Sequence, residues 1–150
     1  MKFNFRLESV LKHRARLQEE AQLDYAEAEN NVRLKMEEIK GFYKEIENAR
    51  IMRSESQSGS EFVAMTLSAV EEFIKLTEVK IDRAKHEARE LMQVMEEKHQ
   101  ILVEKARDKK VLDRLKEKKF VEFKKDLKRI ETKVMDEIAM FRSYRGVNYE

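Results

Sequence analysis

Several residue types that shape ordinary globular domains are scarce or missing in this chain. Its 150 residues include no cysteine, no proline and no tryptophan, and only three glycines. The absence of cysteine excludes disulfides and thiolate chemistry. The absence of proline removes the strongest helix breaker, which costs about 3 kcal/mol in a helix interior. Long uninterrupted helices are therefore permitted over almost the whole chain.

Charged residues fill the composition instead: they make up 41% of the chain, as do hydrophobic residues. Ordinary domains carry roughly 25% charge, so the apolar residues suffice for a narrow stripe rather than a thick core. High charge also favours disorder, but the net charge is only +2. The first residues lack the apolar segment of a signal peptide, and no run of 18 apolar residues occurs. We expect a cytoplasmic protein with no direct membrane insertion.

Apolar residues recur in two long stripes at alternating steps of three and four, the spacing of a coiled-coil seam. The first stripe is Leu7, Leu11, Ala21, Tyr25, Ala28, Val32, Ile39, Phe42, Ile46 and Ala49. The second is Val63, Leu67, Val70, Ile74, Ile81, Ala84, Ala88, Leu91, Met95 and Leu102. Arg14, Gln18 and Lys35 interrupt the first stripe, where their long stems can cover the seam. The pattern predicts an all-α, two-helix antiparallel coiled-coil hairpin.

A serine-rich stretch between the stripes marks the turn of this hairpin. We predict helix 1 over about 4–51, the turn over about 53–60, helix 2 over about 61–144 and a frayed tail over 145–150, within a single coiled-coil domain of residues 1–150. Ser58 and Glu61 have capping-box spacing, and Ser60 is the competing cap. Folding about residue 57 places Leu7 opposite about residue 107, where the second stripe loses its regularity.

A third apolar stripe follows beyond the predicted end of pairing. Its members are Phe120, Phe123, Leu127, Ile130, Val134, Phe141 and Tyr144. No part of the chain is expected to cover it, so the longer helix 2 overhangs helix 1 at the end that carries both termini. Exposed apolar patches of this kind mark interaction sites. We predict that the overhang binds another chain, either a second copy or a different protein.

Residues able to do chemistry are scattered without a recognisable constellation. His13, His86 and His99 form no metal-ligand pair. The carboxylates have no enclosing pocket to tune them, and the glycines form no phosphate loop. We therefore expect no enzymatic activity, no catalytic residue, no cofactor and no metal.

Basic residues are concentrated between Lys105 and Arg129, and residues 101–150 hold fifteen basic against ten acidic side chains. Such a run can follow a phosphate backbone. Acids interleaved at helical spacing are more typical of a solvated, ion-paired face, so we expect no nucleic acid. Docking of the basic run onto an acidic protein surface stays open as a second interpretation.

Two aromatic pairs, Phe42-Tyr43 and Phe73-Ile74, approach each other if the hairpin folds about residue 57. Phe42 and Ile74 take seam positions, which leaves Tyr43 and Phe73 on the flanks. These flanking rings indicate either simple packing beside the seam or a patch for a partner.

The two ends of the chain resemble the flagellar export protein family FliJ. The matching segments are Phe3–Arg14, Glu19–Gln22, Leu112–Lys119 and Glu131–Ala139. Members of that family are cytoplasmic antiparallel coiled coils, similar to the rotary stalk of F-type ATPases. The resemblance implies a non-enzymatic adaptor of flagellar type III secretion. Its expected partners are the hexameric export ATPase, the membrane export gate and export chaperones, at the inner face of the cell membrane.

The resemblance also implies where these partners bind. On the gate side it points to Phe42, Tyr43 and Phe73, although Thr77, Lys80 and Ala84 depart from the apolar residues expected next. On the ATPase side it gives the overhang a partner through Phe120, Phe123, Leu127, Ile130, Val134 and Phe141. The alternatives are a homodimeric structural coiled coil, in which two overhangs pair, and a nucleic-acid-binding helical protein.

Overall fold

The computed structural model describes residues 1–55 and 61–147 of the chain. Helix α1 spans Glu8–Glu55 and helix α2 spans Glu61–Val147, and no strand occurs in these two ranges. The helices pack against each other, which confirms the predicted all-α helical hairpin. The uninterrupted length of both helices follows from the lack of proline and from the charged residues that solvate their outer faces.

The helix ends differ somewhat from the predicted ones. Helix α1 begins at Glu8 rather than near residue 4, and it continues through residues 53–55, which were expected in the turn. Helix α2 continues to Val147, past its predicted end near 144. Ser58 and Ser60, the candidate caps, lie outside the described residues. The single coiled-coil domain stays a prediction.

The chain forms two compact units, each of which contains parts of both helices. The central unit is Glu19–Glu104, and the terminal unit combines Met1–Gln18 with Lys105–Glu150.

The seam of the central unit is lined by the residues that the apolar stripes predict. Its buried members are Ala21, Ala28, Ile39, Ile46 and Ala49 from α1 and Val70, Ile74, Ile81, Ala84 and Ala88 from α2. Ile39 packs against the small residues Ala84 and Ala88. The gap in the second stripe is filled by Thr77, which is only 1% exposed.

The pairing register in the central unit differs from the predicted one. Lys35 Nζ lies 2.7 Å from Glu87 Oε2, whereas folding about residue 57 would place Lys35 opposite residue 79. The Tyr25 and His99 rings, with centroids 5.3 Å apart, obey the same shifted register. The shift is eight residues at Lys35 and ten at Tyr25, somewhat more than one heptad, and a heptad stripe pairs with its partner almost equally well after a slip of one repeat. Periodicity alone therefore could not decide between the two registers.

The terminal unit pairs α1 with a later part of α2 than expected. Lys116 Nζ lies 2.8 Å from Glu8 Oε2, and Arg14 Nη1 donates to the backbone oxygen of Asp108 at 2.8 Å. The expectation that pairing ends opposite residue 107 was therefore wrong. The buried core of the terminal unit contains Phe5, Leu11 and Leu112. Of these three residues, only Leu11 belongs to a predicted stripe.

Candidate functional site

The first seven residues of the terminal unit form a cover over α2. They precede α1 in a non-helical path, and the Glu8 amide donates to the Phe5 carbonyl oxygen at 3.1 Å. Phe5 is buried with Leu11 and Leu112, and Phe3 and Leu115 pack against this cluster. The side chains of Phe3 and Phe5 thus contact α2.

This cover corrects one prediction about the third apolar stripe. The Phe3 ring lies 5.2 Å from the Phe120 ring and 5.5 Å from the Phe123 ring, centroid to centroid. The statement that no part of the chain covers the stripe was therefore wrong for Phe120 and Phe123. The physical reason is that helix 1 was expected to begin near residue 4, whereas the non-helical chain before Glu8 folds back onto α2.

Beyond this cover, the stripe on α2 is open to solvent. Leu127 is half-buried, while Ile130 is 45% exposed and Phe141 is 70% exposed. Val134 and Tyr144 are exposed as well. From residue 128 to residue 146 every side chain is exposed, so in this range no other described segment lies against the helix. The stripe therefore presents an apolar face at steps of three and four, interrupted only by Glu137 between Val134 and Phe141.

The Phe120 ring has a second neighbour besides Phe3. Lys124 Nζ lies 4.7 Å from its centroid, within the range of a cation–π interaction. With both neighbours, Phe120 keeps 39% of its surface exposed. A groove of about 740 Å³ beside it is lined by the first residues of the chain, from Lys2 to Leu7, and by Leu115, Lys119 and Phe123.

The aromatic residues of the central unit lie at different levels of the seam. Phe42 is half-buried and packs against the clusters around Ile46 and Ile39. Phe73 is exposed and lines a groove of about 500 Å³ together with Ala49 and Met52. The shifted register therefore places Phe73 beside the end of α1, rather than face to face with Phe42.

Tyr43 projects from the flank of the seam and contacts a base on α2. Lys85 Nζ lies 5.5 Å from the centroid of the Tyr43 ring. Polar interaction with Tyr43 raises the pKa of Lys85. About half of the Tyr43 side chain stays exposed, so the ring is packed on one side and open on the other.

A polar contact centred on Lys35 crosses the seam of the central unit. Lys35 lies between Glu38 and Glu87, at 2.7 Å from an oxygen of each carboxylate. The hydrogen bonds that Lys35 donates to these carboxylates raise its pKa, and the same lysine lowers the pKa of Glu87. The Lys35 stem covers the seam as predicted, because its side chain is only 20% exposed. This contact fixes a register that the apolar stripe leaves open.

Within the described ranges, no group of three or more acidic or histidine side chains could hold a metal ion. His86 Nε2 lies 3.3 Å from an oxygen of the exposed Glu90. Neither described helix is long and apolar enough to cross a membrane.

Comparison with known proteins identifies one family. A family model described as "Flagellar FliJ protein" matches residues 2–148, which is nearly the whole chain. No curated protein and no solved structure matches this sequence significantly.

Proposed function

This chain belongs to the flagellar FliJ family, and we propose that it is an adaptor that engages the hexameric export ATPase and the membrane export gate. The family consists of flagellar export-related coiled-coil proteins that act as structural or adaptor proteins. In this role the chain would also assist export chaperones. The proposal places the chain in the cytoplasm, peripherally at the inner face of the membrane at the flagellar base.

The uncovered stripe of the terminal unit carries the ATPase part of the proposal. Ile130, Val134 and Phe141 lie at steps of four and seven on an α2 segment that is exposed on all sides. A single solvated helix is marginal by itself, and an amphipathic helix gains stability by laying its apolar face into a partner's groove. A ring-shaped ATPase with an apolar central opening would offer such a groove.

A pull-down with the purified export ATPase tests this assignment. The variant Ile130→Asp/Val134→Asp should lose at least tenfold in affinity, because each substitution buries a carboxylate in the proposed interface. The variant Leu23→Asp/Leu34→Asp is the matched control: it makes the same changes at exposed leucines of the central unit. The control should bind like the unchanged protein. Equal binding by all three proteins would exclude the stripe as the ATPase contact.

The same stripe also supports the homodimer alternative, in which two copies cover each other. Analytical ultracentrifugation at tens of micromolar distinguishes the two. A monomer that becomes a complex only when ATPase is added agrees with the adaptor. A dimer that Ile130→Asp/Val134→Asp converts to a monomer would make self-association the function of the stripe.

The gate part of the proposal depends on the exposed aromatic residues of the central unit. Phe73 opens into an apolar groove beside Met52, and Tyr43 keeps one face free. Aromatic side chains at the rim of a groove are typical binding hot spots. We propose Phe42, Tyr43 and Phe73 as gate-side residues, with Phe42 holding Tyr43 in place from the seam.

Binding to the cytoplasmic part of the export gate, measured by calorimetry, tests the gate-side residues. Tyr43→Ala/Phe73→Ala should weaken binding by about tenfold or more, since truncating a hot-spot residue costs about 2 kcal/mol. Leu23→Ala/Leu34→Ala removes comparable exposed side chains elsewhere in the same unit and should have no effect. Binding that is weakened equally in both variants would contradict the assignment.

A further inference from the structure

The outer face of α2 in the terminal unit carries a continuous row of basic side chains. Its members are Arg107, Lys110, Arg114, Lys118, Lys125 and Lys128. We call this set the basic row. The steps are three or four residues throughout, if Val121 is counted as its one uncharged position, so all members lie on one side of the helix. From first to last, the row extends about 30 Å along the axis.

The basic row faces away from the rest of the terminal unit. All six side chains are exposed, whereas the contacts with α1 and the first residues use other positions of α2, such as Asp108, Leu112 and Lys116. A rotation of about 100° per residue places these contact positions on the opposite half of the helix. The row is therefore not a by-product of hairpin pairing.

In the described part of the chain the side chains of the row are not held in ion pairs, although Glu122 lies four residues after Lys118. Lys109, Lys116 and Lys119 in the same segment form ion pairs with Asp113, Glu8 and Glu122. Within the described residues, no member of the basic row forms an ion pair. Acidic neighbours Glu117 and Glu122 stand at the borders of the row rather than within it. In this part of α2, the lysines that form ion pairs therefore lie outside the basic row, and the row itself is a positively charged face.

We propose that the basic row binds the surface of an anionic lipid bilayer, with α2 lying flat on the headgroups. Groups of four to eight Lys or Arg on one face of a helix are typical of binding to anionic lipids. The six cations lie on one side of the helix over about 30 Å, so a flat charged surface can meet all of them at once. Val121 is its only apolar position, so the helix adsorbs to the headgroups without insertion into the acyl region.

An acidic protein surface fits this face less well than a bilayer. Protein interfaces depend on a buried apolar or aromatic centre and are depleted in lysine, and the row offers no aromatic or large apolar anchor. Duplex DNA also presents a surface of phosphates, so the test below includes it as a competing ligand.

This inference deepens the peripheral membrane location proposed above, but its test needs neither the gate nor the ATPase. The full-length protein is sedimented with vesicles of phosphatidylcholine that contain about 30% phosphatidylglycerol, at about 0.1 M salt. We expect binding that is absent from pure phosphatidylcholine vesicles and that is lost as salt rises to about 0.5 M, where charges are strongly screened. A failure here with intact ATPase and gate binding would overturn the lipid contact alone.

Neutralising the row supplies the matched comparison. Lys118→Gln/Lys125→Gln/Lys128→Gln should weaken partitioning onto the anionic vesicles roughly 100-fold, because each basic residue near such a surface contributes about fivefold. Lys40→Gln/Lys44→Gln/Lys75→Gln makes the same change in net charge at exposed lysines of the central unit and should bind like the unchanged protein. Circular dichroism checks that both variants keep their helices.

Three results would overturn the proposal. The first is no binding of the unchanged protein to the anionic vesicles. The second is an equal loss in both triple variants, which would reflect overall charge rather than the row. The third is tighter binding to duplex DNA than to vesicles with the same dependence on Lys118, Lys125 and Lys128, which would make the row a nucleic-acid interface.

Discussion

The centroids of the Phe3 and Phe120 rings lie 5.2 Å apart, with an interplanar angle of 66°. This edge-to-face contact joins the first residues of the chain to a position far along α2. The neighbouring Phe5 anchors it, since that side chain is buried against Leu11 and Leu112. The start of the third apolar stripe is therefore part of a folded core, whereas its continuation from Ile130 onward is not.

Phe5→Ala tests how much this small core contributes to stability. The substitution removes a ring that is only 7% exposed, and Phe→Ala in a core typically costs about 3–5 kcal/mol. In a thin core we expect the lower end, about 3 kcal/mol, in the free energy of unfolding from urea titration. Leu23→Ala, at an exposed position, should change it by less than about 0.5 kcal/mol. A Phe5→Ala effect no larger than that control would show that the cover is not structural.

The position of Thr77 makes a second prediction. Its side chain is the largest that is fully buried, and its hydroxyl donates to the Phe73 carbonyl oxygen, four residues earlier, at 2.8 Å. Thr77→Val should change the free energy of unfolding by less than about 1 kcal/mol, because that carbonyl keeps its helical backbone donor. Thr77→Leu should destabilise the protein by about 1–3 kcal/mol through overpacking of the seam. A well-tolerated leucine would indicate that the seam has spare room at this level.

The apolar periodicity was sufficient to predict the fold class and most of the seam, because burial of one stripe per helix is the only way this composition can remove apolar area from water. It was not sufficient for the register, since a slip of one heptad preserves the stripe. The Lys35–Glu87 contact at 2.7 Å and the small residues Ala84 and Ala88 opposite Ile39 distinguish the two alignments. Such pairings become visible only when the two helices of the hairpin are placed side by side.

The cover over α2 was harder to predict than the seam. Phe3 and Phe5 alternate with polar residues over too short a span to show a period, and Glu8 begins the helix only after them. Folding back of such a segment depends on an apolar surface elsewhere on the chain, here Leu112 and Leu115. The two phenylalanines near the start of the chain were visible in the sequence, but the apolar surface that they contact lies far along α2.

The Lys35–Glu87 pair predicts a pH dependence with a definite sign. The pKa of Glu87 is lowered from its ordinary 4.5, so its stabilising contribution is present above about pH 4.5 and is lost as pH falls through the lowered value. The pKa of Lys35 is raised from 10.5, so its contribution is complete below that pH and is lost as pH rises through the raised value. The pair therefore stabilises the fold between these limits.

Thermal unfolding of Glu87→Gln checks this window. The difference in Tm between the unchanged protein and the variant should be constant from about pH 5 to pH 10 and should shrink toward zero at lower pH. Glu27→Gln is the control, because Glu27 is exposed and forms no ion pair within the described residues. If the Glu87→Gln difference at pH 3 equals that at pH 7, the ion pair does not contribute to stability.

The open end of α2 predicts a strong contrast in hydrogen exchange. Amides from residue 131 to residue 146 belong to a helix whose side chains are all exposed, and a single solvated helix of that length is marginal in water. They should exchange orders of magnitude faster than amides near Ile81 and Ala84 in the buried seam, whose opening requires separation of both helices. If the ATPase lays its groove over Ile130 and Val134, its addition should slow exchange in this end and leave the seam unchanged. Slow exchange of residues 131–146 in the isolated monomer would show instead that this part of α2 stays helical without a partner. The open end of α2 would then give no support to a binding role.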